Sequence, residues 1–281
     1  MFNLGEYQTL EVTSIKSSGF YLSVIGSTID YDILLPGTHA PEGLGLGDRL
    51  EVFIYRDTKD RLMATTKKPA LTLGRLALLE VMQVDENGAF LAWGLEKDLF
   101  LPFAEQTEPV KKGEKVLVRL YIDKSQRLAA TTRVQRDLKT HPPYKEGEAH
   151  DATVLKTHPD IGLFVAVEDL YEGLVLKQEL LKTYTPGERL VLYVARSNPA
   201  GQLQMSFKKT IPLQIQEDTQ MILDHLKDHA GTMSLTDKSS PDDIRRVFNL
   251  SKKAFKRALG KLYREGAIEI HETAITLKDR V

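Results

Sequence analysis

Two stretches of this 281-residue chain carry an aspartate and an arginine four positions apart, each followed by a similar run: Asp57-Thr-Lys-Asp-Arg61-Leu-Met-Ala-Thr65-Thr66 and Asp123-Lys-Ser-Gln-Arg127-Leu-Ala-Ala-Thr131-Thr132. An arginine there can meet a phosphate. The aspartate can accept from a base edge or a 2′-hydroxyl, or hold the arginine by pairing with it. Aromatic residues recur just after a glycine: Phe20 and Tyr21 after Gly19, Phe90 after Gly88, Phe164 after Gly162. Flat rings beside cations are the means by which proteins hold unpaired nucleotides. The same residues also fit a plainer role, because an aromatic on a strand often packs a core and an Asp/Arg pair often decorates a surface turn. Alternation puts only one of Phe20 and Tyr21 outward. A third concentration of chemistry lies near the end. Arg245, Arg246, Lys252, Lys253, Lys256, Arg257, Lys261 and Arg264 fall within twenty residues that hold no acid, in a chain with 39 acidic residues. That density favours contact with nucleic acid over a merely solvated helix face.

Little else in the chain points to reaction chemistry. A phosphate-binding loop, a dinucleotide fingerprint, a nucleophile elbow and a His-Glu-x-x-His helix are all missing. Asp57 and Asp123 lie far apart in sequence and make no carboxylate pair. His225 and His229, with Asp224 and Asp228 nearby, have helical metal-site spacing but read as the polar side of a helix. The expectation is no enzyme, no cofactor and no metal. With no cysteine, neither a disulfide scaffold nor a thiolate site can form. The 38 basic and 39 acidic residues leave a formal net charge of -1, which excludes a protein that coats polyanions uniformly. No run approaches the ~18 apolar residues of a membrane span, and the first residues show no signal-peptide pattern. A soluble cytoplasmic protein without a membrane partner is expected.

The elements that must position these residues come from a repeat. Gly47-Asp-Arg-Leu-Glu-Val52 matches Gly113-Glu-Lys-Val-Leu-Val118, and Asp32-Ile-Leu-Leu-Pro36 matches Asp98-Leu-Phe-Leu-Pro102. A looser third copy has Gly162-Leu-Phe-Val165, Glu172-Gly-Leu-Val175 and Pro186-Gly-Glu-Arg-Leu190, with Ser197 and Gln202 in the places of the aspartate and arginine. Units of 1–69, 70–140 and 141–210 follow, joined at Lys68-Pro69-Ala70, at His141-Pro142-Pro143 and at Lys208 to Pro212. Inside a unit the period is two. Leu50, Val52 and Ile54 alternate with Glu51, Phe53 and Tyr55, the pattern of half-buried strands. Gly19, Gly88 and Gly162 read as hairpin-turn positions. Five short strands per unit predict a five-stranded Greek-key barrel.

After Pro212 the period becomes 3.6. Ile215, Thr219, Ile222, Leu223 and Leu226 line one helix. A short strand is predicted at Met233–Leu235. Ser240 then caps a helix with Pro241 in its first turn, and Ser251 caps a longer one with Ala254, Phe255, Ala258, Leu259 and Leu262 on its apolar face. Ile268/Ile270 and Ile275/Leu277 suggest a closing hairpin. Helix, strand, helix, helix and hairpin is the winged-helix order, expected over 211–281, with the third helix as its recognition element.

The order Gly-aromatic hairpin, Glu-Gly-Leu-Val, Gly-Asp/Glu-x-Val and Asp-x-x-x-Arg-Leu resembles the S1-type RNA-binding domain, an oligonucleotide-binding (OB) fold. Three such units followed by the run from Asp237 to Tyr263 resemble the conserved virulence factor B family of bacterial RNA-binding regulators. The resemblance implies three tandem OB-fold barrels and a winged helix, and an RNA-binding protein that affects gene expression after transcription. It implies single-stranded RNA as the partner of the rings and arginines. For the winged helix, duplex nucleic acid, the ribosome or another protein remain open as partners, and the alternatives are a DNA-binding regulator acting through the winged helix or an interaction scaffold on the ribosome or the RNA-decay machinery.

Overall fold

The computed structural model describes residues 2–27, 33–57, 59–209 and 211–278. Asp32 of the repeat block, Thr58 of the first Asp/Arg run, Thr210 of the third junction, Met1 and residues 279–281 lie outside them. The first barrel is built from β1 (Tyr7–Lys16), β2 (Gly19–Val24), β3 (Ile33–Pro36), β4 (Arg49–Arg56) and β5 (Leu62–Thr65). They close in the order β1-β2-β3-β5-β4. The second has β6 (Leu76–Val84), β7 (Gly88–Ala92), β8 (Leu99–Pro102), β9 (Lys115–Ile122) and β10 (Leu128–Thr131) in the same cyclic order, with no ladder between β8 and β10. The third closes β11 (Ala149–His158), β12 (Gly162–Val167), β13 (Tyr171–Leu176), β14 (Arg189–Ser197) and β15 (Leu203–Ser206) as the first does. This is the five-stranded OB barrel expected from the repeat.

Alternation decides what fills each barrel. Leu10, Val12, Leu22, Ile33, Leu35, Val52, Ile54 and Ala64 pack the first interior. The first strand of every barrel shifts register at the same place, between Val12 and Ser14, Val81 and Gln83, and Val154 and Lys156. One bulge per long strand supplies the bend that closure needs. The repeated glycines begin the second strand of each barrel rather than sitting in its turn. A Cβ on Gly19, Gly88 or Gly162 would lie 2.3, 2.4 or 2.0 Å from the carbonyl oxygen of Leu35, Leu101 or Val175. Only glycine admits that approach of the third strand.

The chain forms two compact units: Met1–Pro143, His150–Leu192 and Ser197–Met205 in one, Tyr144–Ala149, Tyr193–Arg196 and Ser206–Val281 in the other. Within the first, the barrels are locked rather than strung. Phe53 points out of the first barrel by alternation, yet it is fully buried in a cluster with Leu71, Trp93 and Leu120 of the second. Tyr7 and Trp93 meet its ring edge-on at 5.5 and 5.9 Å. The junction is hydrogen-bonded as well: the Ala70 N–H donates to the Trp93 carbonyl at 2.7 Å. At the equivalent position of the second barrel stands Arg119, 4% exposed, whose guanidinium donates to the carbonyls of Gly74 and Asp169 at 2.9 and 2.8 Å. The buried Asp169 carboxylate also accepts from the Thr153 hydroxyl at 2.5 Å and from Arg189 at 2.9 Å. One repeat position thus forms an apolar seam in the first copy and a polar seam in the second.

The second unit contains α1 (Ile211–Asp228), β16 (Thr232–Met233), α2 (Pro241–Phe248), α3 (Lys252–Arg264), β17 (Ile268–Ile270) and β18 (Ile275–Leu277), with sheet order β16-β18-β17. Both caps form: the Ser240 hydroxyl accepts from the Asp243 N–H, and that of Ser251 from the Ala254 N–H. Asn249 ends α2 in the left-handed region, at φ 54°. Ile222, Leu226, Ile244, Phe248, Phe255, Leu259 and Leu262 form its core. The strand expected at Met233–Leu235 lies two residues earlier at its end, at Thr232–Met233. No helix among the described residues is long and apolar enough to cross a membrane.

Candidate nucleic-acid interface

Strand pairing carries one outward residue to the next across each barrel. In the first, Ser14 pairs with Tyr21, Tyr21 with Leu34, Leu34 with Met63 and Met63 with Tyr55. In the second, Gln83 pairs with Phe90 and Phe90 with Phe100, while Ala129 pairs with Tyr121. In the third, Lys156 pairs with Phe164, Phe164 with Leu174 and Leu174 with Gln204. Tyr21, Phe90 and Phe164 are therefore equivalent positions on one transverse row, and all three are half-buried. Phe20 is not on it. Its ring packs against the core of the first barrel, opposite Leu35, because alternation turns it to the other face of β2. The sequence reading missed Tyr55, Phe100 and Tyr121. Tyr55 and Tyr121 were legible in principle, since they stand sixty-six residues apart in the outward phase of β4 and β9.

The three rings do not stand in equal surroundings. The Lys16 ammonium lies 4.1 Å from the Tyr21 centroid, and Lys156 lies 5.3 Å from that of Phe164. Phe164 also packs against the cluster of Leu76, Val134, Leu155 and Ala166 where the second and third barrels meet. Phe90 has no cation over its face among the described residues and instead meets Phe100, with centroids 5.3 Å apart.

The Asp/Arg runs are first of all turns. The Asp57 carboxylate accepts the N–H groups of Lys59 and Arg61, and that of Asp123 accepts those of Ser125 and Arg127. In both turns the residue before the arginine, Asp60 or Gln126, has φ 61°. The third barrel keeps this geometry with Asn198 accepting from the Gln202 N–H and Gly201 at φ 76°, so Asn198 rather than Ser197 holds the aspartate's place. Burial pushes the Asp57 carboxyl up, but the hydrogen bonds from Arg61 and Lys59 outweigh it and hold the group below its ordinary value. Asp123 is held down likewise, against its burial, by Arg127 and Ser125. The arginine side chains then diverge. Arg61 pairs with its own Asp57 at 2.7 Å. Arg127 leaves Asp123 and reaches into the first barrel, donating to Asp60 at 2.6 and 2.5 Å.

In the winged helix the basic residues separate by pairing. Arg246 is tied to Asp243, Lys256 lies 3.6 Å from Asp237, and Lys261 lies 4.0 Å from Glu265. The Arg264 guanidinium donates to the Gly260 carbonyl, and the Lys252 ammonium lies 3.4 Å from the Lys238 carbonyl. Among the described residues, Arg245, Lys253 and Arg257 have no carboxylate partner. Lys252, Lys253, Lys256 and Arg257 line one shallow depression on α3, and exposed Tyr263 and Arg264 follow one to two turns on. His225 and His229 stack at 4.0 Å. Burial, then His229, holds the His225 imidazole below its ordinary pKa. Among the described residues no group of three possible metal ligands comes together.

These features have counterparts in known proteins. A family profile described as an S1 domain matches residues 4–67 and 73–133, and one described as a CvfB-like winged helix domain matches residues 220–277. A conserved virulence factor B from Staphylococcus haemolyticus is 31% identical over 247 residues, spanning 83% of this chain and 81% of its own. One from Staphylococcus saprophyticus is 27% identical over 290 residues, 99% and 95% of the two chains. A crystal structure of a multidomain protein with nucleic acid binding domains from Streptococcus pneumoniae is 25% identical, covers 98% of each chain and has a TM-score of 0.41.

Proposed function

Because the chain belongs to the conserved virulence factor B family, we propose that it is a non-catalytic, cytoplasmic RNA-binding protein that acts on gene expression after transcription. Its first two barrels hold single-stranded RNA, with bases stacked on Tyr21, Phe90 and Phe100 and phosphates met by Arg61 and Arg127. The observation that carries this reading is the equivalent row of outward rings, which no core requirement explains for Phe90 and Phe100. Stacking contributes ~1–3 kcal/mol per base, so a single barrel binds weakly. Locked neighbours bind one strand together without the cost of ordering a linker. Only Arg61 and Arg127 are asked to meet phosphates on this face, so binding weakens only modestly with salt.

A second reading, duplex binding through α3, is favoured by the unpaired Arg245, Lys253 and Arg257. Fluorescence anisotropy of the full chain with single-stranded RNA and with duplex DNA at low salt separates the two. Saturable binding to single-stranded RNA, tighter than to duplex, is expected. No saturable binding rejects the proposal, and tighter binding to duplex DNA transfers the function to α3.

A further inference from the structure

Where the first barrel meets the second there is a cleft of 340 Å³, at the lower end of the ~300–1,000 Å³ of ligand pockets. The first barrel contributes Tyr55 and the second contributes Phe90, Trp93 and Phe100, so apolar rings from both sides face one space. The cations Arg56, Lys97 and Arg127 line it as well. Such a space suits a flat, partly polar group flanked by an anion, which describes an unstacked nucleotide.

The Asp60–Arg127 pair spans the two barrels, with Arg127 lining the cleft. Both side chains are about half exposed, 48% and 50%. They are not what holds the barrels together, because the seam beneath them is closed by Phe53, Tyr7 and Trp93. Arg127 also forgoes the partner that its own turn offers: Asp123 uses one carboxylate oxygen on the backbone of Ser125 and Arg127, just as Asp57 does in the turn where Arg61 still pairs with its other oxygen. It takes two oxygens of Asp60 instead, the fork-to-fork geometry in which a guanidinium meets a phosphate. Arg127 holds the Asp60 carboxyl below its ordinary value, so it stays ionised at neutral pH.

Building on the reading of the chain as a single-stranded RNA binder, we propose that this cleft is one nucleotide site shared by both barrels, and that Asp60 occupies the phosphate position on Arg127 until a strand displaces it. The base enters among Tyr55, Phe90 and Phe100, and its phosphate takes over the guanidinium. Asp60 is then a built-in competitor that sets affinity below what the surface could deliver. The occupant class is an unpaired nucleotide within a strand. Four carboxylates also line the space, Asp57, Asp85, Asp98 and Asp123, so a phosphate enters only where a cation meets it directly.

The test uses the full chain and Trp93, the one tryptophan in the sequence, as a reporter inside the cleft. Asp60→Asn keeps a residue that tolerates the left-handed backbone of this turn and removes only the charge. Binding of labelled single-stranded RNA is followed by anisotropy and by Trp93 emission for wild type, Asp60→Asn, Arg127→Gln and the double variant. The expected results are about two- to fivefold tighter binding by Asp60→Asn, the scale of an exposed ion pair, no gain when Arg127→Gln is already present, and a change in Trp93 emission on binding. Unchanged affinity in Asp60→Asn overturns the inference while leaving RNA binding intact. So does a gain that persists with Arg127→Gln, which marks a general charge effect, and so does binding that leaves Trp93 emission unaltered. Failure of the wild type to bind RNA at all rejects the function itself.

Discussion

Replacing Phe90 by leucine separates stacking from packing. The Phe90 ring lies half-buried on the outward row of β7, 5.3 Å from Phe100 and without a lysine above it. Leucine keeps most of the apolar volume and removes the flat face. A stacked base contributes ~1–3 kcal/mol, and each ~1.4 kcal/mol is tenfold in affinity. Phe100 remains as a partial platform, which limits the loss to the lower part of that range, about five- to tenfold. Loss of the Phe90–Phe100 ring contact costs only ~0.5–1.5 kcal/mol of stability. Phe20 is the internal control, two positions before the equivalent Tyr21–Leu22 pair ends and turned inward. Phe20→Ala removes a ring packed on the core of the first barrel and costs about 2 kcal/mol, less than a fully buried phenylalanine because the ring is half-buried. Anisotropy with single-stranded RNA and thermal unfolding in one buffer read both quantities. The account expects Phe90→Leu to lose affinity with little change in Tm, and Phe20→Ala to lose Tm with affinity retained. Unchanged affinity in Phe90→Leu, or an equal loss in a folded Phe20→Ala, refutes the assignment of faces.

Other perturbations probe the scaffold. Phe53→Ala empties the seam between the first two barrels and should cost ~3–5 kcal/mol, seen as a lower-temperature unfolding transition and faster proteolysis between residues 66 and 72. Gly162→Ala places a methyl group 2.0 Å from the Val175 carbonyl oxygen at φ +141°, so the third barrel should fail to close; a native melting profile in this variant would contradict the close-approach argument. Lys253→Glu combined with Arg264→Glu should leave the Tm nearly unchanged and, if α3 touches phosphates, lower the salt slope by about 1–2. His225 binds its proton less readily folded than unfolded, so the unfolded chain takes up more protons as pH falls through ~6.5 and the winged helix loses stability towards pH 5. His225→Gln should flatten that loss, measured by the helical circular-dichroism signal on heating.

The architecture was legible because the repeat and both periodicities are local signals. The alternation of Leu50, Val52 and Ile54 and the serine caps at Ser240 and Ser251 each depend on a few neighbouring residues. Where the reading went astray, the missing information was long-range. Phe53 and Arg119 look like ordinary outward residues until the next barrel is set against them. The glycines that begin β2, β7 and β12 look like turn residues because the carbonyl oxygen that requires them belongs to a different strand. Asp57 and Asp123 read from sequence as possible ligand groups, yet their first task is to hold turns that Asn198 holds without a charge. The partner of Arg127 could not be inferred from spacing, since Asp60 lies sixty-seven residues away. Phe20 and Tyr21 could not be told apart before the register of β2 against β3 was known.

The central claim is that outward rings of the first two barrels bind unpaired RNA, and photo-crosslinking tests it most directly. A single-stranded RNA carrying 4-thiouridine is irradiated with the full chain and the joined peptides are mapped. The account predicts crosslinks at Tyr21, Tyr55, Phe90, Phe100 and Tyr121, with Phe20 untouched. Crosslinks confined to α2 and α3, with none on β2, β7 or β8, would contradict it.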